Sequence, residues 1–344
     1  MSHFFPLLER AAARIQPPVL IVLGAPLLVV ELVRRLNLPE ITCYQIDLFQ
    51  AEKLRTELDQ AGLKAEVKTA PDLWDLPPEF QTALFPSPPR GERELKLDMV
   101  EQGFHVLRPK GTFVVLSPVI HDQLYPGMMK RIFGKSAPVH IEEGTVIWSI
   151  REMERERRRH EVMVQARIDD GEPLRFITRP GVFAYGQLDQ GSRALLAAAE
   201  VQPGNRVLDL GCGAGAVGLA LARKAGDKGH ITFADSNVRA VALAELNARA
   251  AGLTSFEAVA TVSLERLSLV SFDVIVTNPP YYASQSIAQM FIRRSYELLR
   301  PGGRFHLVTK QLEQMEAMVS EVFGEPELFE NRGYIIIVAK KERP

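Results

Sequence analysis

RVLDLGCGAGAVGLALARKA, residues 206–225, reads as a short buried strand, a glycine-rich turn and a helix. The strand is Arg206–Leu210, and helical spacing of apolar residues resumes over Val217–Lys224. Gly211, Gly213 and Gly215 permit a tight turn and let a ligand approach the backbone. Several nucleotide-binding classes share a lone G-x-G-x-G, but two details narrow the choice. Asp209 stands at the carboxyl end of the strand, where a carboxylate repels a pyrophosphate and attracts an ammonium group. Gly218 occupies the place of a phosphate-binding lysine, which excludes a P-loop.

Outward from this stretch, strands and helices alternate. Ile231–Ala234 reads as a strand, Ala240–Ala251 as a helix and Phe272–Thr277 as a strand. A helix over Ile287–Leu299 meets the stop signal Pro301-Gly302-Gly303. Strand Arg304–Val308, helix Leu312–Phe323 and the apolar run Tyr334–Ala339 follow. This order predicts an α/β fold with a parallel sheet covered by helices on both faces.

The pattern occurs twice. VLIVLGAP at 19–26 matches VLDLGCGA at 207–214, and ITCYQ at 41–45 matches ITFAD at 231–235. FQTALFPSPPR at 80–90 matches FDVIVTNPPYY at 272–282, and LRPKGTFVVLSP at 107–118 matches LRPGGRFHLVTK at 299–310. Four matches in one order at nearly constant offset mark an internal duplication. The first copy has lost the polar groups of the second. Ile21 stands for Asp209, Leu23 for Gly211, Gln45 for Asp235, and Ser87 and Arg90 for Asn278 and Tyr281. The expected division is a degenerate unit at 1–150, a charged linker at 151–175 containing REMERERRRHE, and an active unit at 176–344.

Two further features carry chemistry. Asp235 ends the second strand of the active copy, where an acceptor-only carboxylate can take both hydroxyls of a ribose. Asn278-Pro279-Pro280-Tyr281 follows the Phe272–Thr277 strand, and two prolines take the chain rigidly out of the sheet. That corner lies at the carboxyl ends of the strands, where open α/β sheets bind ligands. The Asn278 side-chain oxygen and the Pro279 carbonyl together suit the two hydrogens of a planar amino group, with Tyr281 as a face for the ring that bears it. Pulling on those hydrogens opposes delocalisation of the nitrogen lone pair and aims it at an electrophile.

Bulk properties set limits. A net charge of −1 gives no global basic field, and 46% hydrophobic with 24% charged residues is ordinary for a globular chain. The two cysteines, Cys43 and Cys212, have no ligand pattern around them, so neither a disulfide framework nor a metal site is expected. The apolar run from Val19 to Val33 is too short and too broken to span a bilayer, and no secretory signal is evident. A cytoplasmic protein is expected, with no membrane or metal partner.

Together, the glycine loop, Asp235 and N-P-P-Y resemble class I S-adenosylmethionine methyltransferases acting on amino nitrogens. The degenerate first half, and RPGVFAYGQLDQGS at 179–192, resemble more closely the ribosomal RNA guanine-N2 methyltransferases. These are the enzymes called methyltransferase C for the small ribosomal subunit and methyltransferase G for the large one. The resemblance implies two tandem Rossmann-like methyltransferase domains, S-adenosyl-L-methionine as cofactor, and ribosomal RNA or an assembling ribosomal subunit as partner. It places Asn278, Pro279, Pro280 and Tyr281 at the reaction. It places Asp209, Gly211, Cys212, Gly213, Gly215, Asp235, Ser236, Gly191 and Thr261 around the cofactor. Stretches 180–183 and 188–192 help close over cofactor and target in that family. Phe183, Tyr282, Arg90, Lys130 and Arg131 are candidates for substrate contact. The chain departs from the family's usual N-P-P-F-H in having Tyr282 in place of histidine, and has no acid after the third strand to meet an adenine. Adenine N6 methylation, protein-glutamine N5 methylation and a non-catalytic RNA-binding role stand as alternatives.

Overall fold

The computed structural model describes residues 3–168, 172–279 and 285–342, and the chain divides into two compact units, 1–160 and 161–344. The first unit runs α1 (Phe4–Ala11), β1 (Val19–Val22), α2 (Pro26–Leu36), β2 (Ile41–Gln45), α3 (Leu48–Gln60), β3 (Glu66–Thr69), β4 (Phe80–Pro86) and α4 (Arg93–Val106). It closes with β5 (Leu107–Ser117), α5 (Leu124–Phe133), β6 (Ala137–Ile141) and β7 (Gly144–Ile150). The second unit opens with the hairpin β8 (Val162–Ala166) and β9 (Leu174–Thr178), then α6 (Gln190–Ala198), β10 (Arg206–Leu210), α7 (Ala216–Ala225), β11 (His230–Asp235) and α8 (Val238–Ala250). There follow β12 (Phe256–Ala260), β13 (Phe272–Thr277), α9 (Gln285–Leu298), β14 (Leu299–Thr309), α10 (Leu312–Phe323), β15 (Glu327–Asn331) and β16 (Tyr334–Lys340).

Both units carry a seven-stranded sheet of the same order, β3-β2-β1-β4-β5-β7-β6 and β12-β11-β10-β13-β14-β16-β15. In each, the last strand of the unit enters antiparallel beside the fifth position of the sheet. The duplication extends to single residues. Val19 pairs with Ile41 and Thr82, and 188 positions later Val207 pairs with Ile231 and Val274. Even the register shift is copied, between Phe80 and Thr82 and between Phe272 and Val274. The central strands, β1 throughout and β10 apart from Arg206 and Asp209, are apolar because both faces of the sheet are covered there. In the second unit α6, α7 and α8 cover one face, and α9 and α10 the other. The first unit repeats this with α1 to α3 against α4 and α5.

Three details differ from the sequence expectation. Each sheet is mixed and not wholly parallel, because β7 and β16 run antiparallel to the strands on both sides of them. The α9 helix passes into β14 without a loop, and Pro301-Gly302-Gly303 lies inside the strand, where Gly302 takes φ +83°. The stretch expected as a linker, 151–175, is partitioned instead. Residues 151–160 form neither helix nor strand and are tied to the first unit: Arg155 Nε donates to the buried Glu101 carboxylate at 2.8 Å, Arg159 pairs with buried Asp72 at 3.6 Å, and Arg157 lies over Trp74. Those arginines neutralise acids buried on and beside α4, so charge density there reflects internal pairing. From Val162 onward the chain is already β8 of the second unit, with Val164 and Phe176 of its hairpin in the core under α7 and α8.

The strand register also corrects one residue equivalence. Phe85 pairs with Val115 as Thr277 pairs with Leu307, a constant offset of 192, so Pro86 occupies the place of Asn278 and Ser87 that of Pro279. No helix among the described residues is long and apolar enough to cross a membrane.

Candidate active site

The loop after β10 is bent as its glycines demand. Gly211, Gly213 and Gly215 take φ of +73°, +53° and +82°, a region that L side chains rarely enter. Space is equally restrictive at Gly215, where a Cβ would lie 3.0 Å from the Ala244 Cβ. The Gly211 and Cys212 N–H groups donate to the Ala234 carbonyl, which fastens the loop to the end of β11. Gly213 N–H donates to Asp235 Oδ2 at 2.9 Å, and Asn237 N–H to Asp235 Oδ1, also at 2.9 Å. Each oxygen of a carboxylate can accept two bonds, so this side chain can also serve a pair of hydroxyls.

Asp209 is 3% exposed and its Oδ2 accepts from Gly218 N–H at 2.7 Å. Burial raises its pKa to about 7; the Gly218 bond lowers it and the charge of Asp235 raises it further. A buried acid of this kind next to a pocket is stabilised in its ionised form by an arriving cation. Gly218 has a steric role as well, since a Cβ there would lie 2.4 Å from the Phe233 ring.

Helix α8 anchors the segment that borders this loop. Asn237 caps the helix and donates Nδ2 to the Gly181 carbonyl at 2.7 Å. Arg239, fully buried, donates Nη1 to the Pro180 carbonyl at 2.6 Å. Asn247 joins the carbonyls of Ile177 and Ala214 through Nδ2, at 2.9 Å each. Held in this way, Val182 and Phe183 come to 3.9 Å from where a Gly213 Cβ would stand, and the Phe183 ring remains 61% exposed.

Asn278 stands at the end of β13, facing the first turn of α6. Its Nδ2 donates to Asp189 Oδ2 at 2.9 Å and to Ser192 Oγ at 3.2 Å. Its Oδ1 is buried and has no hydrogen-bond partner among the described residues. One narrow cleft joins Asp209, the loop from Gly211 to Ala214, Phe183, Asp189, Ser192 and Asn278. The structure thus brings Asp209, Gly211, Cys212, Gly213, Phe183 and Asn278, each singled out from the sequence, into one neighbourhood, while Gly215 serves as the N-cap of α7 outside the cleft lining. Asp235, Ser236 and Thr261 do not line the cleft. Thr261 sits just after β12, its N–H on the Asp235 carbonyl and its hydroxyl accepting from Leu264 N–H. Gly191 is a spacer: a Cβ there would stand 2.9 Å from Asp189 Oδ2 and 3.3 Å from Asn278 Nδ2. Pro279 is described and buried, whereas Pro280, Tyr281 and Tyr282 lie outside the described residues. Arg90, Lys130 and Arg131 are exposed on the first unit, after β4 and on α5.

Asp189 and Ser192 acquire individual roles only in the structure. Asp189-x-x-Ser192 at the start of α6 is an N-cap pattern, and this is the signal the sequence offers. Asn237, Arg239 and Asn247 escape sequence reasoning, because helix positions give no hint of partners more than 50 residues away. In the first unit the corresponding place is filled. Ile21 is buried in the core, Gln45 Nε2 donates to the Gly24 carbonyl at 2.9 Å, and the Ser87 hydroxyl is bonded to the buried Tyr125 hydroxyl. No cluster of three or more potential metal ligands occurs among the described residues.

Residues 173–338 match the family model of the methyltransferase small domain. Relatives include the ribosomal RNA small subunit methyltransferase C of Pseudomonas aeruginosa (strain LESB58), 32% identical over 50% of this chain and 52% of the relative. The protein of the same name in Hahella chejuensis is 33% identical over 43% of each chain. The chain thus matches about half the length of these relatives. A solved T. thermophilus 16S rRNA N2 methyltransferase, in complex with AdoMet and guanosine, superposes with a TM-score of 0.75 at 22% identity. It covers 98% of this chain and 92% of that one, so the fold of both units is shared.

Proposed function

We propose that this chain transfers a methyl group from S-adenosylmethionine to the exocyclic N2 of a guanine in small-subunit ribosomal RNA. The observation that carries the reading is the buried Oδ1 of Asn278, which has no hydrogen-bond partner among the described residues, in the same cleft as Asp209 and the glycine loop. Asp209 and the loop suit an ammonium-bearing amino-acid moiety, and Asp235 suits a ribose. The cofactor supplies a methyl group on a sulfonium. Asn278 Oδ1 accepts one hydrogen of the target amino group and, with the Pro279 carbonyl, holds the nitrogen lone pair in line with that methyl. The N–C bond forms as the S–C bond breaks, the sulfonium becomes a neutral thioether, and the proton leaves the nitrogen afterwards to water. Positioning and electrostatics supply the acceleration, and no strong base is needed. The curated relatives favour small-subunit ribosomal RNA as the substrate, and the T. thermophilus 16S rRNA N2 methyltransferase bound to guanosine favours guanine N2 over adenine N6 or glutamine N5. The first unit is assigned substrate affinity or scaffolding without chemistry, because the groups of Asp209, Asp235 and Asn278 are replaced there by Ile21, Gln45 and Pro86.

The test is mass spectrometry of ribosomal RNA nucleosides from a strain lacking the gene. Loss of one equivalent of N2-methylguanosine from small-subunit RNA, restored by the gene, is expected. An unchanged N2-methylguanosine content with loss of N6-methyladenosine, or no nucleoside change at all, refutes the assignment.

A further inference from the structure

We infer that Asp189 is a positioning residue that sets the orientation of the Asn278 amide, so that its oxygen and not its nitrogen faces the target. The inference rests on the proposed amino-group chemistry but concerns a residue outside the N-P-P-Y corner. A side-chain amide is nearly symmetric in shape, and its two ends have opposite roles. With Oδ1 toward the cleft Asn278 accepts from an amino group; turned over, it presents donor hydrogens to donor hydrogens.

The first turn of α6 decides between these states. Asp189 Oδ2 takes the Asn278 Nδ2 hydrogen at 2.9 Å and is itself held by Ser192 N–H at 3.0 Å. An ionised carboxylate only accepts, so a turned amide would set Oδ1 against it without a hydrogen between them. Ser192 Oγ, at 3.2 Å from Nδ2, can donate or accept and would tolerate either state. The discrimination therefore falls to Asp189. Gly191 supports the same reading independently. Its missing Cβ leaves the passage for this bond, with Asp189 Oδ2 2.9 Å, the Tyr334 ring 3.1 Å and Asn278 Nδ2 3.3 Å from where that atom would be. The contact joins residues 89 positions apart, and the carboxylate also polarises the amide, making Oδ1 a stronger acceptor.

The experiment uses the full chain with Asp189→Ser and Asp189→Asn. Serine and asparagine both serve as N-caps, so α6 should keep its start. Serine is too short to reach Asn278, and asparagine accepts either amide orientation. Single-turnover methylation of in vitro transcribed small-subunit RNA at saturating cofactor should fall about 10-fold or more in each, with cofactor affinity within about twofold of the wild type. In an Asn278→Ala background the same changes should cost nothing further, because Asp189 acts through that amide. A second readout needs no turnover: the Asn278 side-chain NH2 signal, identified by its loss in Asn278→Ala, should exchange slowly in the wild type and much faster in Asp189→Ser. Fast exchange in the wild type overturns the inference even if the RNA is methylated. Slow exchange without any methylation retains the orientation and overturns the reaction assignment. Multiplicative losses in the double variant, or a fall in cofactor affinity matching the fall in rate, make Asp189 an independent contact and also overturn it.

Discussion

Cofactor affinity should depend on pH through Asp209. Its carboxyl is 3% exposed, and burial holds its pKa at about 7 in the protein alone. If the ionised form receives the ammonium of the methionine moiety, binding must drive off any proton that Asp209 carries. With a midpoint of about 7, the ionised fraction is about 0.9 at pH 8 and about 0.1 at pH 6. The dissociation constant should therefore rise about tenfold between those values, or roughly 1.4 kcal/mol. Calorimetry at pH 6, in two buffers of different ionisation enthalpy, should report close to one proton released per cofactor bound.

The stability of the free protein should also depend on pH through Asp209. The folded-state pKa lies above the unfolded value of 3.8, so this group favours folding fully below that value and the contribution is lost as pH rises through about 7. Bound cofactor, by holding Asp209 ionised, should abolish that loss, leaving the stability contribution of this group flat across the same window. Asp209→Asn should bind weakly at every pH and lose the slope. A flat affinity from pH 8 to 6, or an unchanged slope in Asp209→Asn, would refute the assignment of Asp209 to the ammonium.

Asp235→Ala should weaken cofactor binding and also shift the midpoint of this pH dependence downward, because the Asp235 charge raises the Asp209 pKa. Calorimetry of the wild type should give one site per chain, and two equivalent sites would contradict the filled pocket of the first unit. Asn278→Ala should lower single-turnover rate on the order of 100-fold with cofactor affinity intact, and near-normal turnover would leave the N-P-P corner a structural feature only. Gly218→Ala should destabilise the second unit by about 1–3 kcal/mol in denaturant unfolding, because the added Cβ would stand 2.4 Å from the Phe233 ring. Charge reversal at the exposed Arg90, Lys130 and Arg131 should weaken RNA binding and reduce its salt dependence without touching cofactor affinity; unchanged binding across a salt series would make the first unit a scaffold.

Much of this is legible along the chain. Runs such as Val207–Leu210, the glycines at 211, 213 and 215, and the prolines at 279 and 280 act on the backbone where they stand. Strand alternation, turn position and the duplication therefore read directly from spacing, and Asp209 and Asn278 fall at strand ends because of where those strands stop. The structure alone decided which of those ends meet and what they face. The equivalence of Pro86 with Asn278 needed the pairing of Phe85 with Val115. The arginines at 155 and 159 read as part of a charged linker until the acids buried beside α4 are placed under them. The Asp209 pKa depends on burial, and the Asn278 orientation on a carboxylate 89 residues away. Backbone propensity is local and survives in one dimension; desolvation and hydrogen-bond partnership arise only when the sheet brings distant segments within about 3 Å of each other.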